Sequence, residues 1–422
     1  MNRRHFIKAS SAALVFTACK TTTPSVSHES SSAFQSFDKE MEAFMSARKV
    51  PGGALAVVKD RRLVYARGYG WADRDAKIPA KADSFFRIAS ISKPITAVAV
   101  MKLVEQGKLN LDAKAFELLN LQPAVASFHD PEPRLRDITI RQLLQHVGGW
   151  DRDKSFDPMF RPERIAKETN TKAPADPISV IRYMLSKPLD FDPGQRYAYS
   201  NFGYCVLGRL MEKVTGTPYE PFVREKVLAR AGIKNMHIGA SLEGQQARNE
   251  VRYYTSNDTQ SENVFPTGPR QVPQPYGGFH LEAMDAHGGW IASAVDLARF
   301  AAALDDPNHS PLLKPESFTT MYAPPPAPVS RKADGSLESS YYSCGWLVRP
   351  TGNGKANYWH NGSLPGTNTW LVRRSDGLSW AALFNLRSED KALPDSAIDP
   401  ALHRAAKAVE KWPTHDLFSR FA

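Results

Sequence analysis

The chain has 422 residues, 42% of them hydrophobic, with 8 Trp and 21 Phe, enough to bury a sizeable core in one large domain or two. Net charge is +10, several of those charges lie in the leader, and the rest are unclustered; this fits an acidic partner such as the cell envelope and gives no support for nucleic acid. No apolar run reaches the ~18 residues that a bilayer span needs, and the spacing of the three cysteines does not suggest metal ligands.

The first residues read as a targeting segment rather than as fold. Arg3-Arg4-His5-Phe6-Ile7-Lys8 resembles the twin-arginine export signal, and an apolar run from Ala9 to Ala18 follows. Phe16-Thr17-Ala18-Cys19 resembles a lipobox, which makes Cys19 a lipidation candidate. Residues 1–19 are thus expected to direct export. Residues 20–36, rich in Ser and Thr, are too polar to pack and read as a flexible tether. The expected location is the periplasm or cell envelope, with membrane contact through a lipid anchor only. Cys205 and Cys344 lie in apolar contexts and read as buried thiols rather than a disulfide.

From there the elements follow in order. Phe37, Met41, Phe44 and Met45 predict a helix from about Phe37 to Arg48. Gly53–Val58 and Arg62–Gly70 read as a hairpin turning near Asp60-Arg61. A buried helix follows Ser90 and closes at Gly107. Between about 109 and 289 the signals are helical, at Ile140–His146, Pro177–Leu185, Phe202–Val214 and Tyr219–Ala231, joined by long loops. Strands return at Tyr341–Val348, Asn357–His360, Asn368–Arg373 and Leu378–Leu386, the last two joined by the turn Ser375-Asp376-Gly377. A last helix is expected over Pro400–Trp412, capped by Asp399. The expected class is α+β: helices on one antiparallel sheet built from both ends, about 37–108 and 290–412, plus an all-helical lobe of about 109–289. Together these form one domain, 37–412, with a cleft between the lobes.

Three short motifs carry the chemistry. Ser90-x-x-Lys93 sits at the start of the buried helix, where residues three apart share a face, so the ammonium can reach the hydroxyl. A serine alcohol needs a neighbour to take its proton, and a partly desolvated lysine loses its charge more easily than one in water. Tyr199-x-Asn201 stands just before a helix and can present a phenol and an amide. A tyrosine beside a cationic lysine has its pKa lowered and can act as a base. His360-x-Gly362 lies at a strand end, where glycine allows close backbone approach by a ligand. Singly, each has a plain structural explanation: Ser90 as a helix cap, Tyr199 as packing, Asn201 as an N-cap, His360 as a surface histidine.

In this order, the motifs resemble those of the serine β-lactamase and penicillin-binding-protein family, and the tyrosine points to its class C branch. Leu143-Leu144-Gln145-His146-Val147-Gly148-Gly149-Trp150 and Gly288-Gly289-Trp290-Ile291-Ala292-Ser293-Ala294-Val295-Asp296-Leu297-Ala298 resemble two further family segments, and the likeness runs from about Phe37 to Trp412. It implies a β-lactamase/transpeptidase-like fold, a Ser90 acyl-enzyme and no cofactor or metal. Ser90 would be the nucleophile, Lys93 its proton acceptor, and Tyr199 would share the base role and protonate the leaving group. Asn201 would hold Lys93 or the substrate amide, and the N–H groups of Ser90 and Ser363 would form the oxyanion hole. His360 stands where the family's true β-lactamases carry Lys, and Gly148 where Ser is common. The expectation is a serine hydrolase acting on an ester or amide in a small molecule or a peptide, peptidoglycan-derived peptides included. D-alanyl-D-alanine carboxypeptidase or β-lactamase activity is the enzymatic alternative. A non-catalytic lipoprotein binding peptidoglycan or a β-lactam is the alternative of another class. No G-x-S-x-G or H-E-x-x-H segment exists to support an α/β-hydrolase or a metallohydrolase.

Overall fold

The first hairpin turns where the sequence places it. In the computed structural model, which describes residues 34–124 and 132–421, strand β1 (Gly52–Lys59) runs into β2 (Arg62–Asp73). Asp60 and Arg61 make the turn with φ of 49° and 65°; two successive left-handed residues give a two-residue loop the twist its strands require. The export segment, Cys19 and most of the tether lie outside the described residues.

The C-terminal part of the chain supplies β3 (Leu347–Gly352), β4 (Lys355–Leu364), β5 (Thr367–Arg373) and β6 (Leu378–Phe384). Strand β6 pairs antiparallel with β1, from Gly53 opposite Phe384 to Lys59 opposite Leu378. That pairing joins the two ends of the chain into one eight-stranded sheet, ordered Tyr341–Tyr342, β3, β4, β5, β6, β1, β2, Ile78–Pro79.

The helices that frame sheet and site are α1 (Gln35–Arg48), α2 (Ser92–Glu105), α3 (Asn201–Thr215), α4 (Ala294–Ala303) and α5 (Ile398–Lys407). Successive strand residues face opposite sides, and β1 is buried on both. Leu55 and Val57 join Phe37, Met41 and Phe44 of α1, Leu402 of α5 and Trp380 in one cluster. Ala54, Ala56 and Val58 join the other, with Ala298 and Ala301 of α4. Burying each large side chain contributes roughly 1.5–3 kcal/mol. Helix α2 is buried on nearly every side from Ser92 to Leu103, as its unbroken apolar run requires, with Pro94 in its first turn. It stops before Gly107, whose φ is 67°.

Three expectations change. The run Tyr341–Val348 is not one strand: Gly345, with φ of 80°, folds it back so that Tyr342 pairs with Leu347. A Cβ at Gly345 would lie 2.6 Å from Ala97 Cβ and 3.0 Å from the Lys93 carbonyl, so the glycine lets this hairpin press onto α2. The last helix starts at Ile398, which puts Asp399 inside its first turn rather than at the cap. Trp412 lies beyond its end, edge-on to Phe34 and Phe37. Tyr219–Ala231 is helical but changes pitch, with a π turn at Arg224–Leu228 and a 3-10 turn at Ala229–Ala231. Cys205 and Cys344 are free and buried, and burial pushes each thiol up to about 12.

Candidate active site

The chain reaches Ser90 under constraint. Phe86–Arg87 pairs with Trp290–Ala292. Ala89 then takes a left-handed φ of 47°, a conformation that costs a non-glycine residue on the order of 1–3 kcal/mol. Neighbours hold it there. Ser92 Oγ donates to the Ala89 carbonyl at 2.7 Å, and Thr369 Oγ1 donates to the Ile88 carbonyl at 3.0 Å. Ala89–Ile91 form a 3-10 turn, so Ser90 stands just ahead of α2 rather than in it, partly exposed. Gly362 of β4 lies directly against this turn, where a Cβ would collide with the Ile88 carbonyl and Thr369 Oγ1. The close approach that the glycine permits is therefore to the protein's own backbone.

Lys93 is fully buried. Its Nζ donates to Asn201 Oδ1 at 2.8 Å and to the His287 carbonyl at 2.9 Å, and lies 3.2 Å from Ser90 Oγ. Burial holds the amine well below the usual lysine range; Asp157 opposes this and Arg152 adds to it. A neutral amine has two N–H donors and one lone pair. With two carbonyl-type oxygens taking the donors, the lone pair is left for the Ser90 hydroxyl.

Tyr199 presents its ring to Lys93 Nζ, 4.7 Å from the centroid. Its hydroxyl is buried and has no hydrogen-bond partner among the described residues. Burial raises the phenol above its ordinary value; Ser90 lies close enough to oppose the rise, though not in hydrogen-bonding geometry. The expected lowering by a cationic lysine is thus reversed, because burial desolvates the phenol itself. His146 clamps this loop. Its carbonyl accepts from Ala198 N at 2.9 Å, its Nδ1 accepts from Ser200 N at 3.2 Å, and its ring packs 4.3 Å from that of Tyr199.

Ser200, not Asn201, caps α3: its Oγ accepts from Gly203 N at 3.3 Å. That leaves the Asn201 amide free to face Lys93. Asn201 Nδ2 donates to Asp157 Oδ2 at 2.7 Å, which fixes the amide with Oδ1 toward the lysine.

His360 is not the surface histidine that a plain structural reading of the sequence offers. It is 2% exposed. Nδ1 lies 2.7 Å from the Asn361 carbonyl and donates to it, so Nε2 accepts from the Tyr342 hydroxyl at 3.0 Å. Burial first, and Lys93 second, lower its pKa to about 3. At working pH it is a neutral ring that orients the strand end.

The cleft has two halves that share Ser90, Arg152 and Ser363. One, about 250 Å³, is bordered by Tyr197, Tyr199, Tyr342, Leu347, His360 and Asn361. The other, about 260 Å³, is bordered by Phe160, Asn201, Met284, His287, Leu364 and Arg387. The structure therefore gathers Ser90, Lys93, Tyr199, Asn201, His360 and Ser363 around one point, while Gly362 stands behind the wall. Sequence reasoning did not single out Asp157, Arg152 or the His287 carbonyl. The first two lie in a loop of mixed charge that reads as solvated, and a backbone acceptor leaves no trace in residue type.

Comparisons with known proteins bear on the family and the fold. A family model described as Beta-lactamase matches residues 37–403. Esterase EstB of Burkholderia gladioli is 27% identical over 403 residues, 90% of this chain and 97% of that protein. Penicillin-binding protein 4* of Bacillus subtilis (strain 168) is 24% identical over 355 residues, 83% of this chain and 71% of that protein. Among solved structures, the D-amino acid amidase of Ochrobactrum anthropi SV3 superposes with a TM-score of 0.65 at 20% identity, covering 90% of this chain and 99% of that one. The last likeness is one of fold.

Proposed function

Because the chain belongs to the Beta-lactamase family and is a serine hydrolase of that fold, we propose that it cleaves an ester or small amide bond through an acyl-enzyme on Ser90. The observation that carries this reading is the buried Lys93 amine, whose two N–H donors are committed to Asn201 and His287 while Ser90 Oγ lies 3.2 Å away. Neutral Lys93 takes the Ser90 proton as Oγ attacks the carbonyl carbon. The tetrahedral oxyanion is met by the N–H groups of Ser90 and Ser363, where loss of one donor typically costs ~10²–10³ in rate. Tyr199, kept protonated by burial, gives its proton to the leaving oxygen or nitrogen and is reprotonated from Lys93. Water then enters, gives a proton back along the same route, and releases the acid.

The neutral His360 supports esters and small amides over β-lactams, since no fixed positive charge stands at that strand end. Turnover of a panel of p-nitrophenyl esters, D-amino-acid amides, D-alanyl-D-alanine peptides and nitrocefin tests the reading. The expected ranking places esters or small amides first, with all turnover lost in Ser90→Ala. Nitrocefin turned over faster than every ester and amide would overturn the ranking. Stoichiometric binding without turnover would favour a non-catalytic binder. The reading includes export through the twin-arginine segment and retention by lipid at Cys19, with envelope-derived molecules as substrates.

A further inference from the structure

Arg152 borders both halves of the cleft at the level of Ser90. Its guanidinium lies over the Tyr199 ring, 4.8 Å from the centroid. A guanidinium laid on an aromatic face keeps its in-plane N–H donors free for a partner at the edge. Here they are unused: Arg152 donates no hydrogen bond to any described residue. Its one ion contact within 4.0 Å among the described residues is Asp153, at that limiting distance, and the Asp153 side chain is 93% exposed and so already solvated. Arg152 itself is 43% exposed, open to the cleft.

The buried His287 ring, its pKa lowered by burial, carries no cation, and the other basic groups at the cleft are committed. Arg387 gives Nε and an Nη to Glu389 at 2.9 and 2.6 Å. Lys93 is tied to Asn201 and His287. His360 is held between Asn361 and Tyr342. Asp157 is felt electrostatically by Arg152 but makes no ion contact within 4.0 Å of it; that carboxylate is taken by Asn201.

We propose that Arg152 is a specificity-determining residue that receives a carboxylate carried by the substrate close to its scissile bond. This rests on Ser90 being the nucleophile. A planar guanidinium can hold a carboxylate bidentately. Because it stands between the two halves of the cleft, the carboxylate can belong to a dicarboxylic half-ester on the acyl side or to a hydroxy-acid or amino-acid leaving group. The preference that Arg152 confers is electrostatic. It weakens with added salt, because the site is partly open to solvent.

The test uses two matched pairs. On the acyl side, p-nitrophenyl hemiadipate is set against p-nitrophenyl hexanoate. On the leaving side, hippuryl-phenyllactate is set against the phenethyl ester of hippuric acid. Arg152→Gln should lower kcat/KM for at least one acidic member by roughly ten- to a hundredfold, the range for a hydrogen bond to a charged group. The neutral partners set the baseline: any change they share with the acidic members reads the action of Arg152 on Tyr199 and Lys93, and the inference is read from the acidic-to-neutral ratio. The pair that responds identifies the side. The preference of the unmodified enzyme for that acid should shrink between low and high KCl, and Arg152→Lys should restore part of it.

Unchanged ratios in both pairs overturn the inference. So does an equal fall on acidic and neutral members, which would mean that Arg152 acts through Tyr199 or Lys93. Where turnover is slow, the rate of Ser90 labelling by a carboxylate-bearing phosphonate against a neutral one reads the same ratio. Labelling at Ser90 with unchanged ratios defeats the inference alone. Absence of labelling at Ser90 by either reagent defeats the nucleophile assignment, and the inference with it.

Discussion

Replacing Asn201 by aspartate tests the protonation state on which the mechanism depends. Asn201→Asp changes one amide into a carboxylate with almost no change of shape, 2.8 Å from Lys93 Nζ. A unit charge pair at that distance, at an effective dielectric of about 20, attracts by about 6 kcal/mol. That equals roughly 4 pK units on the lysine. The new carboxylate would face Asp157, whose Oδ2 is 2.7 Å from the present amide nitrogen, and two carboxyl groups this close share a proton. One negative charge therefore remains, spread over the pair, and roughly half the attraction, about 2 units, is a fair expectation. Lys93 then holds its proton to higher pH, and where it does so it cannot accept one from Ser90. Below the raised pKa, ester hydrolysis should fall by about tenfold for each pH unit. The loss should be recovered tenfold per pH unit as pH rises toward the new pKa, whereas the unmodified enzyme stays flat. Asn201→Ala, which removes the acceptor without adding charge, should lose about tenfold or less with no new slope. Initial rates on one neutral ester from pH 6 to 10 decide the matter, with circular dichroism confirming the fold. No new rise in rate with pH anywhere in that range, or a loss equal at every pH, would refute the neutral-lysine assignment.

Other outcomes follow from the same structure. His360, with a pKa lowered to about 3, and the buried His146 and His287, whose pKa values are also lowered, are neutral in the folded state. The unfolded chain binds protons near ~6.5, so their contribution to stability is complete above that value and is lost as pH falls from it toward about 3. Melting temperature should drop across that window, and His360→Gln should make the drop shallower; a slope unchanged by the substitution would contradict the burial argument. Gly362→Ala should destabilise by on the order of 1–3 kcal/mol, the usual cost of forcing volume into a packed site. Thermal denaturation measures it, and a neutral effect would mean that the Ile88 turn yields. Replacing Arg3 and Arg4 by Lys should block export, and Cys19→Ala should move the protein from the membrane to the soluble fraction. Fractionation reads both, and an unmodified protein already soluble after export would rule out the anchor.

Much of this site was legible because its pieces are local. Ser90 and Lys93 are three residues apart beside an apolar run that can only be a buried helix, and Tyr199 and Asn201 precede a second helix. The sheet built from both termini also followed from local alternation and turns, such as Asp60-Arg61 and Ser375-Asp376-Gly377. What escaped depends on distant packing. Ser200 and Asn201 are both good caps, and only the fold shows that Ser200 takes that role and frees its neighbour. His360 is a titratable residue by type, but its charge is decided by burial and by Tyr342. Tyr199 was expected to be acidified by a neighbouring cation, but its own burial outweighs that and raises it. Arg152 and Asp157 belong to a loop, Asp151–Asp157, whose alternating polar residues carry no periodicity. Their partners lie some fifty residues away, as with Asp157 and Asn201. Gly345 hid a reversal inside an apolar run because a glycine in such a run reads as strand.

The central claim is a covalent acyl group on Ser90. Mixing the enzyme with p-nitrophenyl acetate, quenching in acid within the first turnovers and measuring intact mass tests it most directly. One acetyl group should be found per chain, mapped by peptide fragmentation to Ser90 and absent in Ser90→Ala. An acetyl group mapped to another residue, or turnover retained by Ser90→Ala at the unmodified rate, would contradict it.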